Sequence, residues 1–213
     1  IGERGDHRDR AQQLDKTYGK IIRIGRDGHI PKDNPFVGRE GARPEVWSFG
    51  HRNPQGLALH PSTGELFEHE HGPKGGDEVN IIRKGANYGW PVVTFGREYH
   101  GPKIGEGTAK AGMEAPLHYW DPSIAPSGMA FLSSDAAGPW QGDLFVGALK
   151  FTLVARLELK DGKVVHEERL LADQHDRVRD VREGPDGALY VLTESRGRLL
   201  RLMPIGGNPP ASD

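Results

Sequence analysis

The sequence predicts an all-β protein, and three observations carry this prediction. Short apolar segments alternate with glycine-containing turns along most of the chain. The 30 glycines, 16 prolines and 35% hydrophobic residues are typical of many short elements joined by turns. One strand–turn–strand pattern also recurs at intervals of about 40 to 70 residues, as expected of repeat architectures. This recurrence favours the radial sheets of a β-propeller, with a β-sandwich as the alternative fold.

The repeated pattern consists of an apolar strand, a turn with glycine, and a second strand with an aromatic residue near its middle. A further strand follows each of the later copies, and two strands precede the first copy. Helix content should be small, with one helical turn around residues 11–14. The predicted strands are residues 19–24, 46–49, 56–61, 65–68, 127–132, 142–147, 154–159, 181–183, 188–191 and 198–202.

Composition excludes several classes of protein. The net charge is -2, from 28 basic and 30 acidic residues, which provides no broad positive field for nucleic acid or an acidic membrane. No run of about 18 apolar residues exists that could span a bilayer. The chain has no cysteine, so disulfides and thiolate metal sites are excluded.

Residues 67–90, FEHEHGPKGGDEVNIIRKGANYGW, combine acids and histidines with a glycine- and proline-rich turn. Calcium takes carboxylate and backbone carbonyl oxygens in irregular geometry, so residues 71–78 could form a calcium loop with Asp77 and Glu78. The stretch lacks the spacing of an EF-hand, and an acidic turn solvated by water is the alternative. His69 and His71 share one face of an extended chain and could instead bind zinc or manganese.

Several motifs in fixed order resemble those of the soluble aldose sugar dehydrogenases that use pyrroloquinoline quinone (PQQ), within the glucose/sorbosone dehydrogenase family. The motifs are GHRNPQGLALHP, EHEHGPKGGDEVNIIRKGANYGWP, PSIAPSGMAF, GALK and RVRDVREGPDGALYVLTE. The resemblance implies a six-bladed β-propeller, of which residues 1–205 form about four blades in the C-terminal portion. It also implies PQQ and calcium as cofactors, and a periplasmic or secreted location. Residues 206–213 lack apolar periodicity and are expected to be a disordered tail.

The resemblance further implies oxidation of an aldose at its anomeric carbon to a lactone, with hydride transfer to the quinone. The segment similar to residues 2–12 follows the general-base histidine in the family, so we expect that histidine before Ile1. The expected partners are therefore an aldose, an electron acceptor and an N-terminal part of the same protein.

Matching the motifs residue by residue implies the site. Arg52 corresponds to the arginine beside the reactive quinone carbonyl, where a permanent cation stabilises the developing negative charge. The remaining implied cofactor contacts are Asn53, Tyr99, Lys150, Arg177 and Arg179. The implied calcium ligands are the carbonyls of Gly72 and Pro73, and Glu78 with the backbone of Tyr88 at a second ion. From the residues alone, a surface ion pair is the favoured role of Arg52, and an exposed basic strand edge is the favoured role of Arg177 with Arg179.

Two other functions fit a propeller of this composition. One is a calcium-dependent hydrolase of the lactonase type, which would need no cluster of Lys150, Arg177 and Arg179. The other is a non-catalytic carbohydrate-binding propeller, for which an absent general base is no loss.

Overall fold

The computed structural model of the protein describes residues 1–3, 5, 7–100 and 103–204. Thirteen strands and three short 3-10 helices form the described part, which contains no α-helix. The predicted all-β class is therefore confirmed. Among the described residues, no helix has the length and apolar character that a membrane crossing requires. The tail expected at residues 206–213 lies outside the described residues.

The strands form four sheets in which hydrogen-bonded neighbours are consecutive along the chain. The sheet orders are β1-β2, β3-β4-β5-β6, β10-β9-β8-β7 and β11-β12-β13. The strands are β1 (Lys20–Ile22), β2 (Val46–Phe49), β3 (Pro54–Leu59), β4 (Leu66–Glu70), β5 (Asp77–Ile82), β6 (His118–Trp120), β7 (Pro126–Phe131), β8 (Leu144–Ala148), β9 (Leu153–Lys160), β10 (Lys163–Leu170), β11 (Val178–Glu183), β12 (Leu189–Thr193) and β13 (Leu199–Leu202). The 3-10 helices are Arg8–Gln12, Asp135–Trp140 and Ala172–Gln174.

The chain divides into two compact units. The first comprises residues 1–54 and 68–123, and the second comprises residues 55–67 with the residues from 124 onward. In the second unit, β7–β8–β9–β10 and β11–β12–β13 bury an apolar cluster, as expected where β-branched and aromatic residues alternate along paired strands. Its fully buried members are Leu132, Ala137, Phe145, Val154, Val181, Leu189 and Val191.

The first unit buries a more polar interior. Ala11, Trp90 and Ile104 form a small apolar cluster there. Lys20 is also fully buried, and its Nζ donates hydrogen bonds to the backbone carbonyls of Arg10, Ala11 and Tyr18 at 3.0, 2.8 and 2.6 Å. Three carbonyl acceptors match the three donors of an ammonium group, which explains how a lysine is accommodated in the interior.

Candidate functional site

The turn after β2 places Arg52 and Asn53. Glu70, on β4, accepts hydrogen bonds from the backbone N–H of Arg52 at 2.6 Å and of Asn53 at 3.1 Å, both on Oε2. The backbone N–H of His71 in turn donates to the carbonyl of Asn53 at 3.1 Å. A buried carboxylate therefore fixes the backbone from which the Arg52 side chain projects.

The Arg52 guanidinium reaches the loop that follows β4. Its Nη1 donates to the carbonyl oxygens of His71 at 2.7 Å and Gly72 at 2.9 Å. The guanidinium carbon also lies 5.4 Å from the ring centroid of Trp90, within the range of a cation–π contact. The structure thus brings Arg52 to one of the carbonyls expected to bind calcium, rather than to a surface ion pair.

The loop that carries Gly72 and Pro73 is tightly closed. A Cβ at position 72 would lie 2.1 Å from the carbonyl oxygen of Gly75, so only glycine fits there. The backbone N–H of Gly72 donates to Asp77 Oδ1 at 2.8 Å, and Tyr99 Oη donates to the Pro73 carbonyl at 2.7 Å. Tyr99 itself is 60% exposed, so most of its ring is open to a planar ligand.

The structure corrects the predicted acidic turn. Asp77 and Glu78 open strand β5 and are buried, at 0% and 9% exposure, so they are not solvated by water. Asp77 is tolerated in the interior because its second oxygen accepts a hydrogen bond from Ser123 Oγ at 2.6 Å. The glycine-rich turn ends one residue before the two acids.

Three buried glutamates share the face of β4 and β5. Burial, and to a lesser extent the charge of Glu70, raises the pKa of the Glu68 carboxyl well above its usual range, and the same two causes raise the pKa of Glu78. Burial raises the pKa of Glu70 to about 7, while the N–H donors of Arg52 and Asn53 lower it. Raised pKa values in a cluster of buried acids are typical of functional sites.

Tyr88 lies beside His51, near the end of β2. Its backbone N–H donates to the carbonyl of Phe49 at 2.8 Å, so the NYGW motif runs beside the end of β2. Its Oη donates to the carbonyl of Ile81 at 2.6 Å. The ring stacks on His51 with centroids 4.5 Å apart.

The oxygen donors of this unit suit calcium. A small cavity of about 10 Å³, the size of a single water molecule or ion, is lined in part by Glu70, Gly72, Gly76, Glu78 and Tyr88. Backbone carbonyls and carboxylates are the ligands that calcium prefers, so the residues present fit the ion. The described residues also bring His51, Glu68 and Glu70 together, a group that includes neither His69 nor His71.

Sequence reasoning did not single out His51 and Asn80. His51 is fully buried, and burial lowers its pKa to about 3. No strand periodicity singles it out, because it lies in the turn two residues after the end of β2. Asn80 follows Glu78 by two residues, which places both side chains on one face of β5.

The remaining expected cofactor residues lie in the second unit. Both guanidinium groups of the RVR motif contact one carboxylate: Arg177 lies 3.6 Å from Glu194, and Arg179 forms a hydrogen bond with the same group. This agrees with the expectation that the two side chains share a face. Lys150 is exposed, with its Nζ 5.4 Å from the ring centroid of Phe151.

Arg179 also lines a cleft of about 390 Å³ within the second unit. Arg182 and the backbone segment from Ser127 to Met129 contribute to the same cleft. Arg182 Nε lies 3.2 Å from Asp180, and Arg179 is paired with Glu194, so each guanidinium group of this lining has a carboxylate partner.

Comparison with known proteins identifies the family. The family model described as "Glucose / Sorbosone dehydrogenase" matches residues 1–201. Aldose sugar dehydrogenase YliI of Escherichia coli (strain K12) is 52% identical over 207 residues, which cover 96% of this chain and 56% of that protein. The chain therefore spans little more than half the length of this relative.

Solved structures similar to this one include two aldose sugar dehydrogenases. The apo-form of the soluble aldose sugar dehydrogenase from Escherichia coli has a TM-score of 0.90 and 50% identity, covering 94% of this chain and 58% of that one. The PQQ-bound form of aldose sugar dehydrogenase from Streptomyces coelicolor has a TM-score of 0.71 and 30% identity, covering 98% of this chain and 55% of that one. With nearly its whole length matched by the family model, the chain belongs to the glucose/sorbosone dehydrogenase family.

Proposed function

We propose that the protein is a PQQ- and calcium-dependent dehydrogenase that oxidises aldoses at the anomeric carbon to lactones. The observation that carries the proposal is the contact of the Arg52 guanidinium with the Gly72 carbonyl. It joins the cation expected beside the quinone to the loop expected to hold calcium. The identity to an aldose sugar dehydrogenase, and the PQQ-bound state of a second relative, support the same conclusion.

The carbonyls of Gly72 and Pro73 would hold the calcium ion that accompanies the cofactor. Each carbonyl accepts one hydrogen bond, from Arg52 and Tyr99 respectively, and its second lone pair would bind the ion. Glu78 and the backbone of Tyr88 would hold a second ion with a structural role. When bound, PQQ and calcium supply a hydride acceptor whose carbonyl is polarised by a divalent cation.

Arg52 would supply a fixed positive charge where negative charge develops. Its position is preorganised, because Glu70 holds its backbone and the His71 and Gly72 carbonyls hold its side chain. Electrostatic stabilisation by groups that do not reorganise is commonly the largest contribution to catalysis. Asn53 would contact the cofactor from the next position along the turn.

Tyr99 and the cationic residues of the second unit would bind and orient the cofactor. PQQ carries three carboxylates, which favours several cations around its rim. Arg177 and Arg179 share one carboxylate, Glu194, so this group keeps a net positive charge for an anion. The largely exposed ring of Tyr99 offers a flat apolar surface for a planar ligand.

The proposed architecture is the six-bladed propeller of the family, with about four blades from residues 1–205. Four sheets of consecutive strands support this proposal, since propeller blades are up-and-down sheets. The other blades and the general-base histidine would come from an N-terminal part of the protein. A periplasmic or secreted location is proposed from the same family membership.

The test uses the full-length protein with added PQQ and calcium. We expect aldose-dependent reduction of an artificial electron-acceptor dye that requires both additions. Arg52→Ala should lower kcat/KM by at least about a hundredfold, the cost typical of losing one preorganised charge-stabilising group. Arg26→Ala, which removes an exposed arginine from the same unit, is the matched control and should leave the rate unchanged.

Absence of dye reduction in the fully reconstituted protein would overturn the proposal. Two alternatives give distinct results in the same preparation. Lactone hydrolysis that survives charge reversal at Lys150, Arg177 and Arg179 indicates a hydrolase. Binding of sugar without turnover indicates a carbohydrate-binding protein.

A further inference from the structure

Three side chains converge in the interior of the first unit, behind the turn that carries Arg52. One ring nitrogen of His51 and one carboxylate oxygen from each of Glu68 and Glu70 lie within 4.8 Å of one another. His51 and Glu68 are fully buried, and Glu70 is 3% exposed. The group is thus closed to bulk water, unlike the acidic patches that are common on protein surfaces.

His51 uses only one of its two ring nitrogens within the protein. Its Nε2 lies 2.8 Å from Ser48 Oγ. Its Nδ1 is buried without a hydrogen-bond partner and lies 4.0 Å from Glu70 Oε1, too far for a hydrogen bond. The tautomer with its proton on Nε2, donated to Ser48 Oγ, would present the Nδ1 lone pair to the carboxylates, the arrangement typical of a metal-binding histidine.

The two glutamates show the same division between their oxygen atoms. Glu68 Oε2 accepts a hydrogen bond from Asn80 Nδ2 at 3.2 Å, whereas its Oε1 is buried with no partner. Glu70 Oε2 accepts from two backbone N–H groups, which leaves Oε1 on the side of His51. The Oδ1 atom of Asn80, next to Glu68, is a further buried oxygen without a partner. In His51, Glu68 and Glu70, therefore, one polar atom of the side chain is held by a hydrogen bond and the other is available to bind an ion.

The side chain that hydrogen-bonds Glu68 is the neutral amide of Asn80, which leaves the charge of a Glu68 carboxylate uncompensated. Removing two neighbouring carboxylates from water is costly unless a proton or a cation neutralises them. One divalent ion balances both charges. Metal–ligand bonds of about 2.0 to 2.4 Å also allow ligand atoms up to about 4.8 Å apart around one ion.

We infer that His51, Glu68 and Glu70 form a binding site for a divalent transition-metal ion such as Zn²⁺ or Mn²⁺. Imidazole with carboxylates favours these ions over calcium, which prefers ligands made only of oxygen. Its three residues differ from the proposed calcium ligands, namely Gly72, Pro73, Glu78 and Tyr88, and Glu70 also lines the small cavity beside those ligands. Its ion would neutralise Glu70 and so hold the backbone of Arg52 and Asn53, a positioning role.

The test is metal binding by the full-length protein after treatment with a chelator and saturation with millimolar calcium. Calcium saturation fills the oxygen sites, so further binding reports the nitrogen-containing one. We expect one Mn²⁺ per chain by electron paramagnetic resonance, displaced by Zn²⁺. Glu68→Gln, which keeps the shape and removes one charge, should weaken Mn²⁺ binding at least about tenfold, and Ser48→Ala should weaken it by a smaller factor.

Glu40→Gln is the matched control, since Glu40 is an exposed glutamate of the same unit. It should bind Mn²⁺ as the wild type does. Anomalous diffraction from crystals grown with Mn²⁺ should place a peak between His51, Glu68 and Glu70. The inference would be overturned, in favour of protonated carboxyls, by any of three results. These are no Mn²⁺ binding by the calcium-saturated wild type, the same Mn²⁺ affinity in Glu68→Gln as in the wild type, and an anomalous peak at another place. These readouts do not depend on sugar oxidation, so they remain separate from the test of the proposed function.

Discussion

Two buried regions of the molecule differ in what fills them. In the second unit, Phe145, Val181 and Val191 are fully buried among other apolar side chains. In the first unit, the equally buried face of β4 and β5 carries Glu68, Glu70 and Asn80. Both regions are built from antiparallel strands joined by short turns, so the difference lies in the residues and not in the backbone.

The two regions are stabilised by different interactions. Apolar packing is non-directional, and its contribution scales with the area removed from water. Buried polar groups stabilise only when each finds its own partner, and they cost free energy when they do not. We therefore expect the apolar region to respond to volume and the polar region to respond to charge, partner and pH.

The largest expected effect is in the apolar region. Phe145→Ala should lower the free energy of unfolding of the second unit by about 3 to 5 kcal/mol, because it leaves a cavity in a fully packed cluster. Denaturant unfolding followed by tryptophan fluorescence measures the loss. Phe145→Leu is the control and should cost much less, and an equal loss in both variants would show that volume is not what matters there.

The second effect is a pH dependence confined to the polar region. Burial lowers the pKa of Lys20 to about 8 from its usual 10.5. Between these values the unfolded chain binds a proton that the folded chain has released, so stability should rise with pH from about 8 to 10.5, by up to about 3 kcal/mol. Below pH 8 the lysine is protonated in both the folded and the unfolded chain, so it adds no pH dependence to the free energy of unfolding.

Unfolding measured at pH 7.5, 8.5 and 9.5 checks this, with Lys20→Met as the comparison that subtracts all other titrating groups. The free energy of unfolding of the wild type, minus that of the variant, should increase as the pH rises. A difference that stays constant over this range would mean that the three carbonyl acceptors keep the ammonium charged.

The third effect concerns the loop at Gly72. Asp77→Ala removes the acceptor of the Gly72 N–H and the partner of Ser123, and should cost about 2 to 3 kcal/mol because buried donors are left unpaired. Asp77→Asn keeps one acceptor oxygen and should cost less. Calcium affinity measured by calorimetry should fall in the same order, and calcium binding unaffected by Asp77→Ala would separate this contact from the ion site.

The smallest effect is expected at the surface of the second unit. Glu194→Gln removes the carboxylate shared by Arg177 and Arg179, both about half exposed, and should change stability by less than about 1 kcal/mol. It frees both cations, so PQQ affinity measured by titration in the full-length protein should rise. Unchanged or weaker PQQ binding would argue against these arginines as cofactor contacts.

The sequence predicted the apolar strands better than the polar ones. The strand at Val46–Phe49 was predicted at its observed bounds because three of its four residues are β-branched or aromatic. Strand β10 (Lys163–Leu170) was missed because it is largely exposed and charged, pairing on one side with β9. The three-residue β6 (His118–Trp120) was also missed, since it is too short to show a period.

In the site, contacts between residues distant in sequence were harder to predict than the motifs. The contact of Arg52 with the Gly72 carbonyl agrees with a resemblance that implies both residues at one cofactor site, while their roles there stay predictions. The burial of Asp77 and Glu78 could not be predicted, since acids beside glycines are usually exposed and the partners that permit burial are distant in sequence, such as Ser123. The meeting of His51 with Glu68 was likewise hidden in the pairing of separate strands.

The Glu70 carboxylate links the position of Arg52 to the interior around His51. Its two oxygens belong to one rigid plane, with one edge on the amides of Arg52 and Asn53 and the other toward His51. Any rotation of that plane alters both edges together. A substitution or a change in protonation deep in the interior would thus be transmitted to the Arg52 backbone, and so to its guanidinium, without passing through any intervening side chain.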